Sequence, residues 1–265
     1  MSALITTRTR QLQRIARDFA AFNVLTDVPN LLAWYRADTT VNAGGFVSQL
    51  TDKHSGGFHY TQVTGSKQPA LTASDSDMGG RASISFDGVD DGLTRASPGF
   101  GALTGLTVYM VVRGVIAETA KRYFSIGNSG TAETTQLQNT SASKIPRASY
   151  ERAIGNITVR AMDTDAVPTV NDVRIFSYSI SPTTSATSSI VTRARLGTPV
   201  TTNTTAGSGT GVALLATGTA VGSNTPSNNS FSSFTFAEMI LASSVHTLDQ
   251  MRKIELYLAG YYGLL

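Results

Sequence analysis

Cysteine is absent from the chain. That excludes disulfide frameworks, thiolate-held zinc, iron–sulfur clusters and thiol nucleophiles, and leaves the redox compartment open. Charge is scarce as well. Only 15% of the residues are charged, against about 25% in an ordinary globular domain, so the surface must be built from neutral Ser, Thr, Asn and Gly. The 21 Lys and Arg exceed the 18 Asp and Glu by a net +3. Much of the excess sits in Arg8, Arg10, Arg14 and Arg17. No broad basic patch interleaved with aromatics follows, so nucleic-acid binding is not expected. No apolar run reaches the roughly 18 residues of a membrane-spanning helix, and the first two dozen residues lack the apolar core of a secretory signal.

Residues 1–30 differ from the remainder. Leu12, Ile15, Phe19 and Phe22 fall at steps of three and four, which on a helix makes one narrow stripe with Arg8, Arg14 and Arg17 off it. Such a helix either folds back on its own domain or forms an oligomer or docking seam, and two heptads alone are marginal in water. From Leu31 the period shortens to two, with Gly, Asn and Ser at the turns. Leu31–Ala37, Phe46–Leu50, Ala82–Phe86, Leu106–Val115, Tyr123–Ile126, Val173–Ile180, Ser188–Arg195 and Phe234–Leu241 read as strands. The nearly unbroken apolar run Val108–Val112 suits a strand buried on both faces. Residues 181–230 are crowded with Thr, Ser, Gly and Asn and read as weakly apolar strands with long loops. A short amphipathic helix closes the chain: Thr247 is its N-cap, Met251, Ile254 and Leu258 share a face, and Gly263 ends it. These patterns predict an all-β sandwich of jelly-roll type over residues 31–265, with an N-terminal amphipathic helix in residues 1–30.

Several landmarks occur in order: Trp34 and Asp38 in LLAWYRAD, Asp52 in LTDKHSGG, Asp87-Gly88 with Asp90-Asp91 in ISFDGVDDGL, the strand LTVYMVVR, and a C-terminal FTFAEMILA leading to YLAGYYG. This combination resembles the concanavalin A-like (laminin-G-like) jelly-roll modules found in bacteriophage tail, fibre and head-decoration proteins, over roughly Leu31 to the C-terminus. The resemblance implies a non-enzymatic structural protein of the virion. Its partners would be other capsid or tail proteins and further copies of the chain, a trimer foremost, joined through Leu12, Ile15, Phe19 and Phe22. A host-surface glycan would be a further partner, with Tyr60, Tyr150, Tyr178, Asn228 and Asn229 as candidate contacts, although tyrosines of this kind more often line the sandwich. The alternatives are a glycan-active hydrolase of the same fold and a cell-surface carbohydrate-binding adhesion module.

Catalysis finds little footing in the sequence. A retaining glycosidase needs two carboxylates about 5 Å apart, and the related laminarinase-like enzymes carry a Glu-x-Asp-x-x-Glu strand. Here Glu118, Glu133, Glu151, Glu238 and Glu255 each lack an acidic partner two or four residues away. Glu238 stands in an apolar strand, where it would pair with an Arg, cap a loop or, with a raised pKa, act as an acid. His54, His59 and His246 have no metal-ligand spacing. The string Gly207–Gly211 lacks the flanking strand and capped helix of a phosphate cradle. Asp90 and Asp91 suit Ca²⁺ by residue type, but no spaced Asp/Asn loop completes a site, so no metal or cofactor is expected.

Overall fold

In a computed structural model of the chain, the structure describes residues 21–95, 100–114, 122–128, 131–139, 146–152, 157–162, 173–181, 191–194, 214–216, 218–223 and 230–265. Leu12, Ile15 and Phe19 lie outside the described residues, as do Asn228, Asn229 and the Gly207–Gly211 string. Seventeen strands and two α-helices are described. The strands that matter below are β1 (Leu31–Ala43), β2 (Phe46–Asp52), β3 (Tyr60–Thr61), β4 (Ala70–Asp75), β5 (Arg81–Asp87) and β6 (Leu93–Arg95). With them go β7 (Gly101–Leu103), β8 (Leu106–Arg113), β9 (Arg122–Asn128), β10 (Thr131–Asn139), β11 (Pro146–Arg152), β12 (Ile157–Met162), β13 (Val173–Ile180), β14 (Val191–Ala194), β15 (Leu214–Ala216), β16 (Gly218–Val221) and β17 (Ser233–Ala242). The helices are α1 (Val24–Asp27) and α2 (Leu248–Tyr261).

Fifteen strands form one antiparallel sheet, and β15 pairs with β7 in a small second sheet. The large sheet folds over on itself. Strand β17 pairs with β8 along one edge, while its other edge is shared, Ser233–Phe236 with β5 and Glu238–Ala242 with β1. Because β1 also pairs with β2, and β2 with β4 beside β5, the strands around β1 close into a partial barrel.

The apolar run of β8 serves two cores. Leu106, Val108, Met110 and Val112 point into the interior with Tyr35, Leu50, Tyr60, Phe86, Tyr123 and Phe236. Tyr109 and Val111 point the other way, beneath α2, with Ile175, Ile240 and Met251. A strand alternates its side chains between faces, so both faces must be apolar where both are covered. In the interior Phe86 stacks on Phe234 and the Tyr123 ring meets Phe234 edge-on. The long predicted strands all occur. The short ones, β3, β6 and β7, escape the sequence because two or three residues cannot establish a period; the longer strands Ala70–Asp75, Thr131–Asn139, Pro146–Arg152 and Ile157–Met162 were not predicted either. Val24 and Val28 are 1% and 4% exposed in the second core, so this part of residues 1–30 packs with the β domain.

Helix α2 follows its sequence signals. Thr247 accepts from the Gln250 N–H and Gln250 returns the bond to the Thr247 N–H, a full capping box. Met251, Ile254 and Leu258 are buried as expected, each worth about 2 kcal/mol of apolar transfer. At the other end Gly263 takes φ +67°, its N–H reaches the Gly260 carbonyl, and the Leu264 N–H reaches the Ala259 carbonyl. This Schellman arrangement fixes where Tyr261 and Tyr262 leave the helix.

Gly79 holds that end against the sheet. Its φ is +64°, and a Cβ built there would stand 2.8 Å from the Tyr262 carbonyl oxygen. Gly80 has a similar φ of +75° but only Ser74 Oγ within reach, at 4.0 Å. Gly79→Ala is therefore expected to cost about 2–3 kcal/mol in urea unfolding, and Gly80→Ala about 1 kcal/mol from backbone strain alone. Equal losses would show that the Tyr262 contact contributes nothing.

Candidate functional site

The site starts from an irregularity in β17. Phe236 pairs with Val112 and Glu238 with Val111, so Ala237 is an extra residue, a β-bulge. Phe234 and Phe236 face the interior before it and Met239 and Leu241 after it. The bulge leaves Ala237 and Glu238 together on the side that α2 covers. Glu238 is 0% exposed. The Trp34 Nε1–H donates to its Oε1 at 2.7 Å, and the Tyr262 hydroxyl donates to its Oε2 at 2.9 Å. Burial pushes the Glu238 carboxyl from 4.5 up to about 7; the Trp34 and Tyr262 hydrogen bonds and the Arg36 charge pull it down, and the Asp38 charge adds to the rise.

Strand β1 carries the next residues. Trp34, Arg36 and Asp38 alternate along it, and Arg36 pairs in register with Glu238. The Arg36 guanidinium forks onto Asp38, with Nε donating to Oδ1 at 3.0 Å and a second bond to Oδ2. Burial raises the Asp38 carboxyl, but the Arg36 hydrogen bonds and charge, with Lys53, outweigh it and hold the group below its ordinary value. Trp34 is positioned from behind by Asp52, whose carboxylate accepts the backbone N–H groups of Trp34, His54 and Phe58.

Between β1, the β4–β5 hairpin and the end of α2 lies a cleft of about 190 Å³. Arg36, Asp38, Arg81, Tyr261 and Tyr262 line it, with Ala37, Ala73, Gly80 and Ala82 as small wall residues. The Tyr261 ring has the Arg81 guanidinium carbon 4.1 Å from its centroid and that of Arg36 at 4.8 Å. Arg81 Nε also donates to the Tyr261 carbonyl at 3.4 Å. Lys53 Nζ stands 4.8 Å from the Trp34 ring centroid, and Arg36 is 5.6 Å away from the same ring. Aromatic faces here hold cations in place.

The glycan contacts read from the sequence do not assemble. Tyr60 is 0% exposed, with its ring edge-on to Tyr35, and Tyr178 is 1% exposed in the interior core. Both are corrected to core residues, because the alternation of β3 and β13 turns them inward, where neither offers a face to a sugar. Tyr150 falls in the strand Pro146–Arg152, with its side chain outside the described residues. Phe22, the one seam residue described, stacks on Tyr257 of its own chain at 4.9 Å. His59 Nδ1 accepts the Asp52 N–H, and His246 bridges the Tyr109 hydroxyl and the Pro29 carbonyl, so both are structural. Sequence reasoning passed over Arg36, Arg81 and Tyr261. The period-two set Trp34, Arg36, Asp38 was a visible signal for the first. Arg81 had none, because its place depends on the β4–β5 register.

The carboxylates of Asp87, Asp90 and Asp91 lie within 4.8 Å of one another. Their geometry is that of a turn. Asp87 Oδ1 accepts the N–H groups of Val89, Asp90 and Asp91, and Asp91 Oδ2 accepts the Asp87 N–H. Gly88, at φ +80°, approaches Ser233 too closely for a Cβ.

No protein-family model matches the chain, and no curated protein matches it. Solved structures do share its fold. A GH54 α-L-arabinofuranosidase soaked with 4-nitrophenyl α-L-arabinofuranoside superposes with a TM-score of 0.57 at 12% identity over 89% of this chain. The match spans 60% of that enzyme's length. Domain 4 of AbnA, a GH43 extracellular arabinanase from Geobacillus stearothermophilus, in complex with arabinotriose, gives 0.58 at 12% identity, covering 86% of this chain and 98% of that domain. A Trypanosoma rangeli sialidase, in a covalent intermediate with 2,3-difluorosialic acid, gives 0.54 at 11% identity over 97% of this chain and 39% of its own. The chain thus has a β-sandwich fold that recurs in carbohydrate-active and glycan-binding proteins.

The expectation of a non-enzymatic chain is corrected by these likenesses, since glycoside hydrolases are among the proteins that share the fold. Its premise was too narrow. A missing Glu-x-Asp-x-x-Glu strand excludes carboxylates paired within one strand, but not carboxylates on different strands, such as Asp38 on β1 and Glu238 on β17, whose charges act on each other.

The raised Glu238 carboxyl has a consequence for stability. Between about pH 4.5 and 7 the folded chain keeps a proton that the unfolded chain releases. Stability therefore falls as pH rises through that window, by about 3 kcal/mol from this group, and levels off above it. Glu238→Gln should flatten the slope and be the more stable protein at pH 8, measured by urea unfolding across pH. An unchanged slope in the variant would show that Glu238 ionises normally.

Proposed function

We propose that the chain is a carbohydrate-binding domain, built on the concanavalin A-like jelly-roll plan that its sequence resembles, and that it takes the end of a glycan into the cleft beside Tyr261. The observation that carries this is the convergence of Arg36, Asp38, Arg81 and Tyr261 on one concave site. Sugar hydroxyls both donate and accept, and an Arg–Asp pair offers each function in a fixed orientation. The cleft is below the roughly 300–1,000 Å³ of drug-sized pockets, which suits a terminal unit better than a long stretch of polymer. The arabinotriose complex of the AbnA domain adds support.

A glycan array followed by calorimetry on the hits tests this reading. Tyr261→Ala, which removes the wall of the cleft, should weaken binding at least tenfold with the fold retained, as judged by the melting transition. Full-strength binding by the variant would move the site elsewhere on the surface.

A second reading, glycoside hydrolysis, rests on the opposed shifts of Asp38 and Glu238. One carboxyl stays ionised and the other near half-protonated at neutral pH, as an acid and base pair requires. Tyr262 lines the cleft and its hydroxyl is bonded to Glu238, so under this reading a proton leaving Glu238 would pass through that hydroxyl, which would give up its own proton as it accepts the new one. Reducing ends released from the bound glycans, and lost in Glu238→Gln, are the expected result under this reading. Binding without release leaves recognition alone.

The virion placement is a further proposal. The Leu12, Ile15 and Phe19 stripe would hold the domain, as a trimer or docked on a capsid or tail protein, with a host glycan at its outer end. Support comes from the sequence resemblance and from the apolar spacing. Joint substitution of those three residues by Ser should reduce a trimer to a monomer in light scattering and leave the β domain folded. Identical masses before and after would overturn the seam.

A further inference from the structure

The cleft is more cationic than neutral sugar recognition needs. Two cations, Arg36 and Arg81, line it around the Tyr261 ring, and a third, Lys53, lies outside the lining over the Trp34 ring that Arg36 also meets. Facing them are Asp38, which occupies the Arg36 fork, and Glu238, which is buried beneath and half-protonated near neutral pH. The acidic groups nearest Arg81 on the β4–β5 hairpin are already engaged: Asp75 is bound through both oxygens by Arg113, and Asp77 bonds Arg113 as well. Asp75 pairs with Arg81 across the hairpin register, yet among the described residues no carboxylate lies within ion-pair distance of Arg81. Its guanidinium is exposed and stacked on Tyr261, with its Nε directed to the Tyr261 carbonyl. The terminal nitrogens are thereby held on a platform at the rim of the cleft.

A planar guanidinium prepared in this way, without an anion of its own, matches a carboxylate in two parallel hydrogen bonds. From this geometry we infer that the glycan unit taken by the cleft is an acidic sugar, whose carboxylate is received by Arg81 while Arg36 and Asp38 meet its hydroxyls. The inference rests on the glycan-binding reading and names the ligand class within it. Stacking on Tyr261 keeps the guanidinium extended before the ligand arrives, so less side-chain freedom is lost on binding.

The test uses the full chain and oligosaccharides ending in galacturonic, glucuronic or sialic acid, each beside its carboxyl-reduced twin, with sodium acetate as a bare carboxylate. Calorimetry should show an acidic member bound at least tenfold more tightly than its reduced twin, with affinity falling as salt rises. Arg81→Gln should lower the affinity for the acidic member about tenfold, and its melting temperature reports whether the fold is intact. Equal affinity for acid and reduced twin overturns the inference and leaves glycan binding standing. Acetate displacing the acidic sugar at comparable concentration overturns it in favour of a simple anion site. Failure of every oligosaccharide to bind removes the glycan-binding reading, and this inference with it.

Discussion

A single buried carboxylate organises this side of the molecule. Glu238 is taken out of water on a central strand, and the cost of that is met only because Trp34 and Tyr262 each supply a donor. Those donors come from β1 and from the end of α2, far apart in sequence. Satisfying one side chain therefore fixes three elements: the bulge that turns Glu238 outward, the strand that presents Arg36 and Asp38, and the helix terminus that presents Tyr261. An apolar residue at 238 would remove the desolvation cost but leave the Trp34 and Tyr262 donors buried without partners. The carboxylate is thus a positional device, and the cleft lies where its two donors meet.

The same logic explains why the helix end is so strongly fixed. Gly263 closes the Schellman turn, and Gly79 lets the hairpin backbone pack on the Tyr262 carbonyl. Tyr262 is held by its hydroxyl on one side and by its backbone on the other. Its neighbour Tyr261 meets Tyr262 edge-on and lies beside Tyr257, so the same helix end presents its ring to the cleft beneath the two guanidinium groups.

How much of this the sequence discloses depends on range. Helix α2 was legible in full, because its cap, stripe and terminating glycine are all local signals. Eight strands were legible from period, but Ala70–Asp75, Thr131–Asn139, Pro146–Arg152 and Ile157–Met162 were not, and β8 showed from its unbroken apolar run that both faces are covered. The bulge at Ala237 was not: FTFAEMILA reads as a continuous apolar strand, and only pairing with β8 shows that Phe236 and Met239 face the same way. Tyr60 and Tyr178 were candidate glycan contacts because their residue type suits both a sugar and a sandwich core, and only their inward positions on β3 and β13 decide for the core. The cleft was legible only in part. Trp34, Arg36 and Asp38 share a face by simple alternation, whereas Arg81 and Tyr261 join them through contacts that span 180 residues.

Cations and rings alternate across the site in a way that bears on what kind of ligand it tolerates. In many sugar sites an open aromatic face stacks on the apolar side of the ring. Here Arg81 and Arg36 lie against Tyr261, and Lys53 and Arg36 against Trp34, so stacking on either ring competes with a cation–π contact worth about 0.5–2 kcal/mol. A neutral sugar gains little by displacing a guanidinium from such a platform. A ligand that bonds the guanidinium where it stands keeps the cation–π contact and adds charge-assisted hydrogen bonds to it. The arrangement thus discriminates by what it already satisfies: the rings are occupied, the Arg36 fork is taken by Asp38, and the outward donors of Arg81 remain to be met.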